Sequence, residues 1–258
     1  MKTELPDNET RVIEGIVTDL LVASEWDDLL DKIEKHCKAS SAAVGAEASP
    51  ARSHGQVHAS PHMISFGEYD EYFVCLVGQQ PMWGGISGAR RLPVGKRVKA
   101  VVEIHGGVFI ARGMISEEAG LAWLRCAQGS EANRRVSYKM SWWFFCLMML
   151  FALPFTLLPP QPGLSRLELM SWIAGAIGAT CFWLARMCIQ NWRGLADEVT
   201  EILRIFGFAD PERVDLGHYS YTSVHGYLGS PVTDIYGNLN DVYCYKQAIE
   251  DGKLKFAR

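Results

Sequence analysis

Three histidines spaced four apart, His54, His58 and His62, form the most suggestive ligand pattern in the chain. On a helix such residues share a face and could hold a metal ion. Gly55, Ser60 and Pro61 interrupt the run and no acidic residue lies within it, so an exposed loop is the competing reading. Asp215, His218, Ser220, Ser223 and His225 supply the residue types of a hydrolytic triad. No G-x-S-x-G surrounds either serine, and a triad is a geometry rather than a cluster of types. Trp83 to Arg91 is rich in glycine, but Gly95-Lys96 is followed by Arg97 where a phosphate-binding loop needs Ser or Thr. None of these patterns commits the chain to catalysis, and no metal or other cofactor is expected.

A different chemistry is offered by Arg90, Arg91, Lys96, Arg97 and Lys99, a basic run without acids. Beside a cytoplasmic leaflet, such charges attract anionic lipid at about 1 kcal/mol each when well placed. A solvated strand edge is the alternative. The chain as a whole is not basic: 25 Lys and Arg stand against 29 Asp and Glu over 258 residues, a net charge of −4. A nucleic-acid partner is therefore not expected.

Whether that run meets lipid depends on where the apolar residues sit. Met140 to Leu158 contains no charged residue, and neither does Leu169 to Ala185. Spans at 140–158 and 167–189 are each close to the ~30 Å hydrocarbon thickness at 1.5 Å per residue. The Pro- and Gly-rich stretch Pro159 to Arg166 between them predicts an antiparallel transmembrane hairpin over 134–191. A buried helical hairpin of a soluble domain is the alternative. Pro154 is expected to kink the first helix.

Arg125, Arg134, Arg135 and Lys139 precede the first span and Arg186, Arg193 and Arg204 end or follow the second, while the connecting loop carries Arg166 alone. The positive-inside rule then puts both termini in the cytoplasm. Trp142, Trp143 and Trp172 are expected as interfacial anchors. Ala174, Gly175, Gly178 and Ala179 are small enough for close approach, either to the first helix or to a second copy in a homo-oligomer.

The remainder reads as soluble. Residues 1–133 hold strand-like segments at Val12–Thr18, Met63–Phe66, Tyr72–Val77, Arg97–Ile104 and Val108–Arg112, with helix signals at Ser24 and Ser116. They predict a small cytoplasmic β-barrel, of OB type, interrupted by the membrane hairpin; the fold class is α+β. Residues 192–258 begin as a helical stalk ending at Gly207. They continue as a Tyr-rich segment, with Tyr219/Tyr221 and Tyr243/Tyr245 alternating as strand residues do, that should pack on the N-terminal domain. Seven scattered cysteines make no disulfide or zinc framework, and the first residues show no signal peptide, which fits a reducing cytosol.

The Ile13-Glu14-Gly15 opening strand, the Lys96-to-Arg112 hairpin, the two-span segment and the Tyr-ending tail together resemble a bacterial membrane-protein family labelled as type VI secretion system effectors. The resemblance implies a non-enzymatic inner (plasma) membrane protein linked to contact-dependent toxin delivery, as effector, immunity protein or accessory. Its partner would be a toxin, an immunity protein or a secretion component, besides the lipid bilayer. The residues also describe a membrane-anchored scaffold or regulator whose β-domain binds protein or anionic lipid.

Overall fold

A computed structural model describes residues 10–43, 71–105, 108–154, 165–225 and 241–257. The histidine run at 54–62, the expected strand at 63–66 and the turn at 159–164 lie outside the described residues. The chain divides into two compact units: Met1–Ala127 with Ile202–Ala209 and Leu216–Arg258, and Gln128–Glu201 with Asp210–Asp215.

The first unit is built on a seven-stranded sheet. Its strands are β1 (Thr10–Ala23), β2 (Tyr72–Val77), β3 (Gln80–Gly85), β4 (Arg97–His105), β5 (Val108–Ser116), β6 (Leu121–Leu124) and β7 (Val242–Tyr243). The order is β3-β2-β1-β4-β5-β6-β7, and β3 also pairs in parallel with β5 at Met82↔Phe109 and Trp83↔Ile110. That last pairing closes β1 to β5 into a five-stranded barrel. β1 serves two partners because it bends: Thr10 to Ile16 pair with β4, and Val17 to Ala23 pair with β2. The bend is an irregularity between Thr18 and Leu21, where Asp19 takes φ 49°. Alternation puts Val98, Ala100 and Val102 of β4 inside with Phe73, Cys75 and Met82, the period-two pattern of a filled small barrel.

Helix α1 (Trp26–Ala43) lays Trp26 against Tyr72 and Trp83, with ring centroids 5.7 and 5.6 Å apart. The sequence from Ser116 was expected to cap a short helix through Trp123; instead Ser116 ends β5 and the chain turns back as β6. Gly120, at φ 69°, donates its N–H to Ser116 O at 2.9 Å, and the Ser116 hydroxyl accepts from Ala119 N–H. This tight turn leaves no room for a helical start, and it drives Trp123 fully into the core.

The tail departs from its expected alternation too. Gly217–Tyr219 is a single 3-10 turn, Tyr221–His225 a short helix α4, and Tyr245 opens helix α5 (Tyr245–Glu250). Among the described residues of the tail, Val242 and Tyr243 alone form strand, pairing with Trp123 and Ala122. Tyr245 is buried among Phe208 and Phe256, and burial pushes its phenol up to about 12.

The second unit is helical. Helix α2 runs Ser130–Ala152, and α3 runs Arg166–Phe206 with its last residues, from Ile202, in the first unit. A capping box starts α3: Ser165 N–H and Oγ–H donate to Glu168 Oε2, and Glu168 N–H donates back to Ser165 Oγ. Gly207, at φ 87°, ends it. Among the described residues α3 is the one helix long and apolar enough to cross a membrane. The expected pair of spanning helices is therefore corrected. The described helix at the first position ends at Ala152 rather than 158, and its polar residues 130–139 leave Met140–Ala152, about 20 Å, as apolar length. Pro154 lies just past this end rather than kinking the helix, in keeping with its missing N–H.

Candidate membrane-interacting site

Within the second unit α2 and α3 run antiparallel in close contact. Ser141 Oγ–H donates to Cys181 O at 2.6 Å, Tyr138 stacks on Phe182, and a Cβ on Gly178 would sit 3.7 Å from the Phe145 ring. Nearer the start of α2, Ser130 N–H donates to Thr200 Oγ1 at 2.9 Å. The facing side is polar enough to fix register and small enough to close: Cys181 and Ala185 are buried there.

The other faces are apolar and uncovered. Met140, Trp142, Trp143, Phe144, Leu147, Leu150 and Phe151 of α2 are exposed, as are Leu167, Trp172, Phe182 and Trp183 of α3. The anchor candidates are among the most open, Trp142 and Trp143 at 65% and Trp172 at 76%. Scattered apolar exposure is ordinary, but large apolar side chains left open in such number along two helices are not, and exposure of this kind marks interaction surfaces. Serine and threonine within it satisfy their own hydroxyls on the helix backbone, Ser171 on Leu167 O and Thr180 on Ala176 O. That is how polar side chains enter lipid at low cost. Of the small residues, Gly178 meets α2 through Phe145, Gly175 faces open space, Ala179 is exposed and Ala174 half-buried.

The start of α2 is tied down separately. Glu131 accepts from Arg213 Nε at 2.8 Å and from Arg135, and these bonds, the Arg213 one foremost, hold its carboxyl below the ordinary carboxylate range. A lowered carboxylate pKa stabilises the folded form above the unfolded value, and that contribution is lost as pH falls through the folded value. In a carboxyl-carbon NMR titration Glu131 is expected to titrate below the chain's solvated glutamates. Arg213→Ala is expected to move its midpoint upward; an unmoved midpoint refutes the coupling.

The barrel cations each have their own surroundings. Arg90 pairs with Glu71 at 2.9 Å, Arg91 lies over the Tyr221 ring at 4.2 Å, and Arg97 pairs with Glu14 at 3.6 Å. Lys99 donates to Ile205 O and sits over Phe206. Lys96 is exposed. A shallow groove on the barrel is lined by Glu14, Gly15, Ile16 and Arg97.

The triad-type residues are likewise dispersed in function. Ser220 and Ser223 share a hydroxyl bond at 2.6 Å, and Asp215 accepts from Gln128. His225 stacks on Tyr221 and lies 3.9 Å from Cys244 Sγ. Burial pushes the Cys244 thiol up, which favours the neutral thiol over a nucleophilic thiolate. No group of three or more potential metal ligands occurs among the described residues.

The structure thus defines an α+β protein: a closed five-stranded barrel with helices, one of them long and apolar enough to cross a membrane. Comparison with family models, with curated proteins and with solved structures finds no match.

Proposed function

We propose that the chain is a membrane-anchored binding module, held in the bilayer by α3 and displaying an OB-type barrel at its surface for a protein partner. The observation that carries this reading is the uncovered apolar surface shared by α2 and α3. The barrel order, β1-β2-β3-β5-β4-β1 with β3 parallel to β5, supports the OB-type reading, that fold being a five-stranded Greek-key barrel. Barrels of that kind serve as binding platforms, and here Val12, Ile16 and Val94 are exposed on it, at 45%, 50% and 57%. With Arg90, Arg91, Arg97 and Lys99 engaged within the chain, a protein suits the barrel better than lipid.

Strand pairing also bears on topology. β6 precedes α2, β7 follows α3, and the two strands pair, so both lie on one side of any bilayer that α3 crosses.

Alkaline extraction of membranes expressing the chain tests the anchor: the protein is expected to stay with the lipid. Ile177→Arg, near the middle of the uncharged stretch of α3, costs about 2.5–3.5 kcal/mol on insertion and is expected to release a large fraction. A cysteine at Ser165→Cys is expected to react with an impermeant reagent from the face opposite to one at Lys246→Cys. Extraction of the unaltered chain, or labelling of both positions from one face, overturns the reading. Expression without neighbouring genes separates this module from a pore-forming effector: normal growth fits the module, and growth arrest with depolarisation fits the effector.

A further inference from the structure

We propose that Arg134, Lys139 and Arg186 form a collar that binds the phosphodiester headgroups of anionic lipids; this rests on the membrane-anchored reading. All three side chains are exposed, and among the described residues none makes a hydrogen bond or ion pair. Their neighbours differ: Arg135 is taken by Glu131, and Arg193 lies 3.6 Å from Asp197.

The helix register brings these three cations to one level. Ser141 bonds Cys181, so with antiparallel helices Arg186 falls opposite Val136, between Arg134 and Lys139. The collar therefore spans roughly 8 Å along the helix axes. Directly beyond it begin the exposed Met140, Trp142 and Trp143 of α2 and, on α3, Trp183 and Phe182. Cations followed within one turn by indole rings and then by uninterrupted apolar surface match the profile of a bilayer boundary, where headgroup phosphates lie just outside the acyl chains. The long Arg and Lys stems can lie along apolar surface while their charges reach the phosphates.

The positions on α2 point in different directions, since Arg134 and Lys139 are five residues apart, and Arg186 is on the other helix. A ring of this kind suits lipids that surround the helices and suits a single soluble anion poorly. Spin-labelled lipids added to the full chain in vesicles report the association ratio of phosphatidylglycerol to phosphatidylcholine. The unaltered chain is expected to prefer phosphatidylglycerol several-fold, and the preference is expected to shrink in high salt. The triple variant Arg134→Gln, Lys139→Gln, Arg186→Gln is expected to bring the ratio close to one, and Arg134→Lys with Arg186→Lys to keep it.

A ratio near one in the unaltered chain, or one unchanged in the glutamine variant, overturns the collar. So does complete competition by inorganic phosphate, which would make the occupant a free anion. Retention of the same samples after alkaline extraction is read in parallel. Loss of retention in the unaltered chain defeats the anchor itself, whereas intact retention with no lipid preference defeats the collar alone.

Discussion

Trp123→Ala is expected to destabilise the barrel unit by about 3–5 kcal/mol, the range for deleting a large buried aromatic. Trp123 is fully buried, packs within the barrel core cluster and pairs through its backbone with both Met114 and Val242. Its indole N–H donates to Gly88 O at 3.4 Å, so truncation opens a cavity and also strips a buried carbonyl of its donor. Trp123→Phe separates the two losses, since it keeps most of the volume and removes only the long hydrogen bond. It is expected to cost about 1–2 kcal/mol. Thermal unfolding of the full chain in detergent reads the difference, a shift on the order of 10 °C for the alanine variant. Equal shifts for the two variants would show that volume is not what Trp123 supplies.

Gly129→Ala is expected to cost about 3 kcal/mol, at the upper end for forcing extra atoms into a packed site. The backbone there, φ −69° and ψ 169°, is open to any residue, so conformation is not the constraint. Space is. A Cβ would stand 2.1 Å from Pro211 O and 2.8 Å from Glu212 O, both main-chain atoms. They cannot swing aside, because Gly129 N–H donates to Val214 O at 2.9 Å and Arg213 is bound to Glu131. Gly194→Ala makes the contrast. Nothing lies within 4 Å of its added methyl on α3, and the helix gains up to about 1 kcal/mol of propensity. Hydrogen exchange at the first turns of α2 is expected to accelerate in Gly129→Ala and to stay unchanged in Gly194→Ala; matching profiles would refute the steric account.

Much of the first unit is legible from local patterns. Tyr72–Val77 alternates as a strand, β4 and β5 fall on the two β-branched runs either side of Gly106-Gly107, and Gly207 stops α3 where glycine after a helical run should. Strand β3 is hidden because its glycines look like loop. Gly84 is glycine for packing: a Cβ there would stand 2.5 Å from the Phe73 ring, so the strand needs the space that the side chain would fill. The helix expected after Ser116 fails for a tertiary reason, since β6 is held on both sides by β5 and β7 and the latter comes from far along the chain. Tyr245 fits an alternating strand in sequence but is claimed by an aromatic cluster with Phe208 and Phe256.

The candidate site shows the same division. A cluster of cations in sequence says nothing of their partners, and Glu14 and Glu71, which take up Arg97 and Arg90, lie far away along the chain. The flanking cations of the helices are countable from sequence. Which of them remain unpaired depends on Glu131 and Asp197, each one helical turn away, and on the register between α2 and α3.

The pairing of β7 with β6 has a consequence for how the protein is made. A ribosome releases β1 to β6 first, then both apolar helices, and only afterwards the short strand that covers the last open ladder. Throughout that interval β6, which carries Trp123, is a bare edge of the sort that recruits foreign strands. Newly made chains are therefore most vulnerable while the helical unit is still being synthesised, and the sheet is sealed only once that stretch lies behind them. The final strand acts as a latch on a sequence of events, closing the sheet of the first unit after the apolar helices have been made.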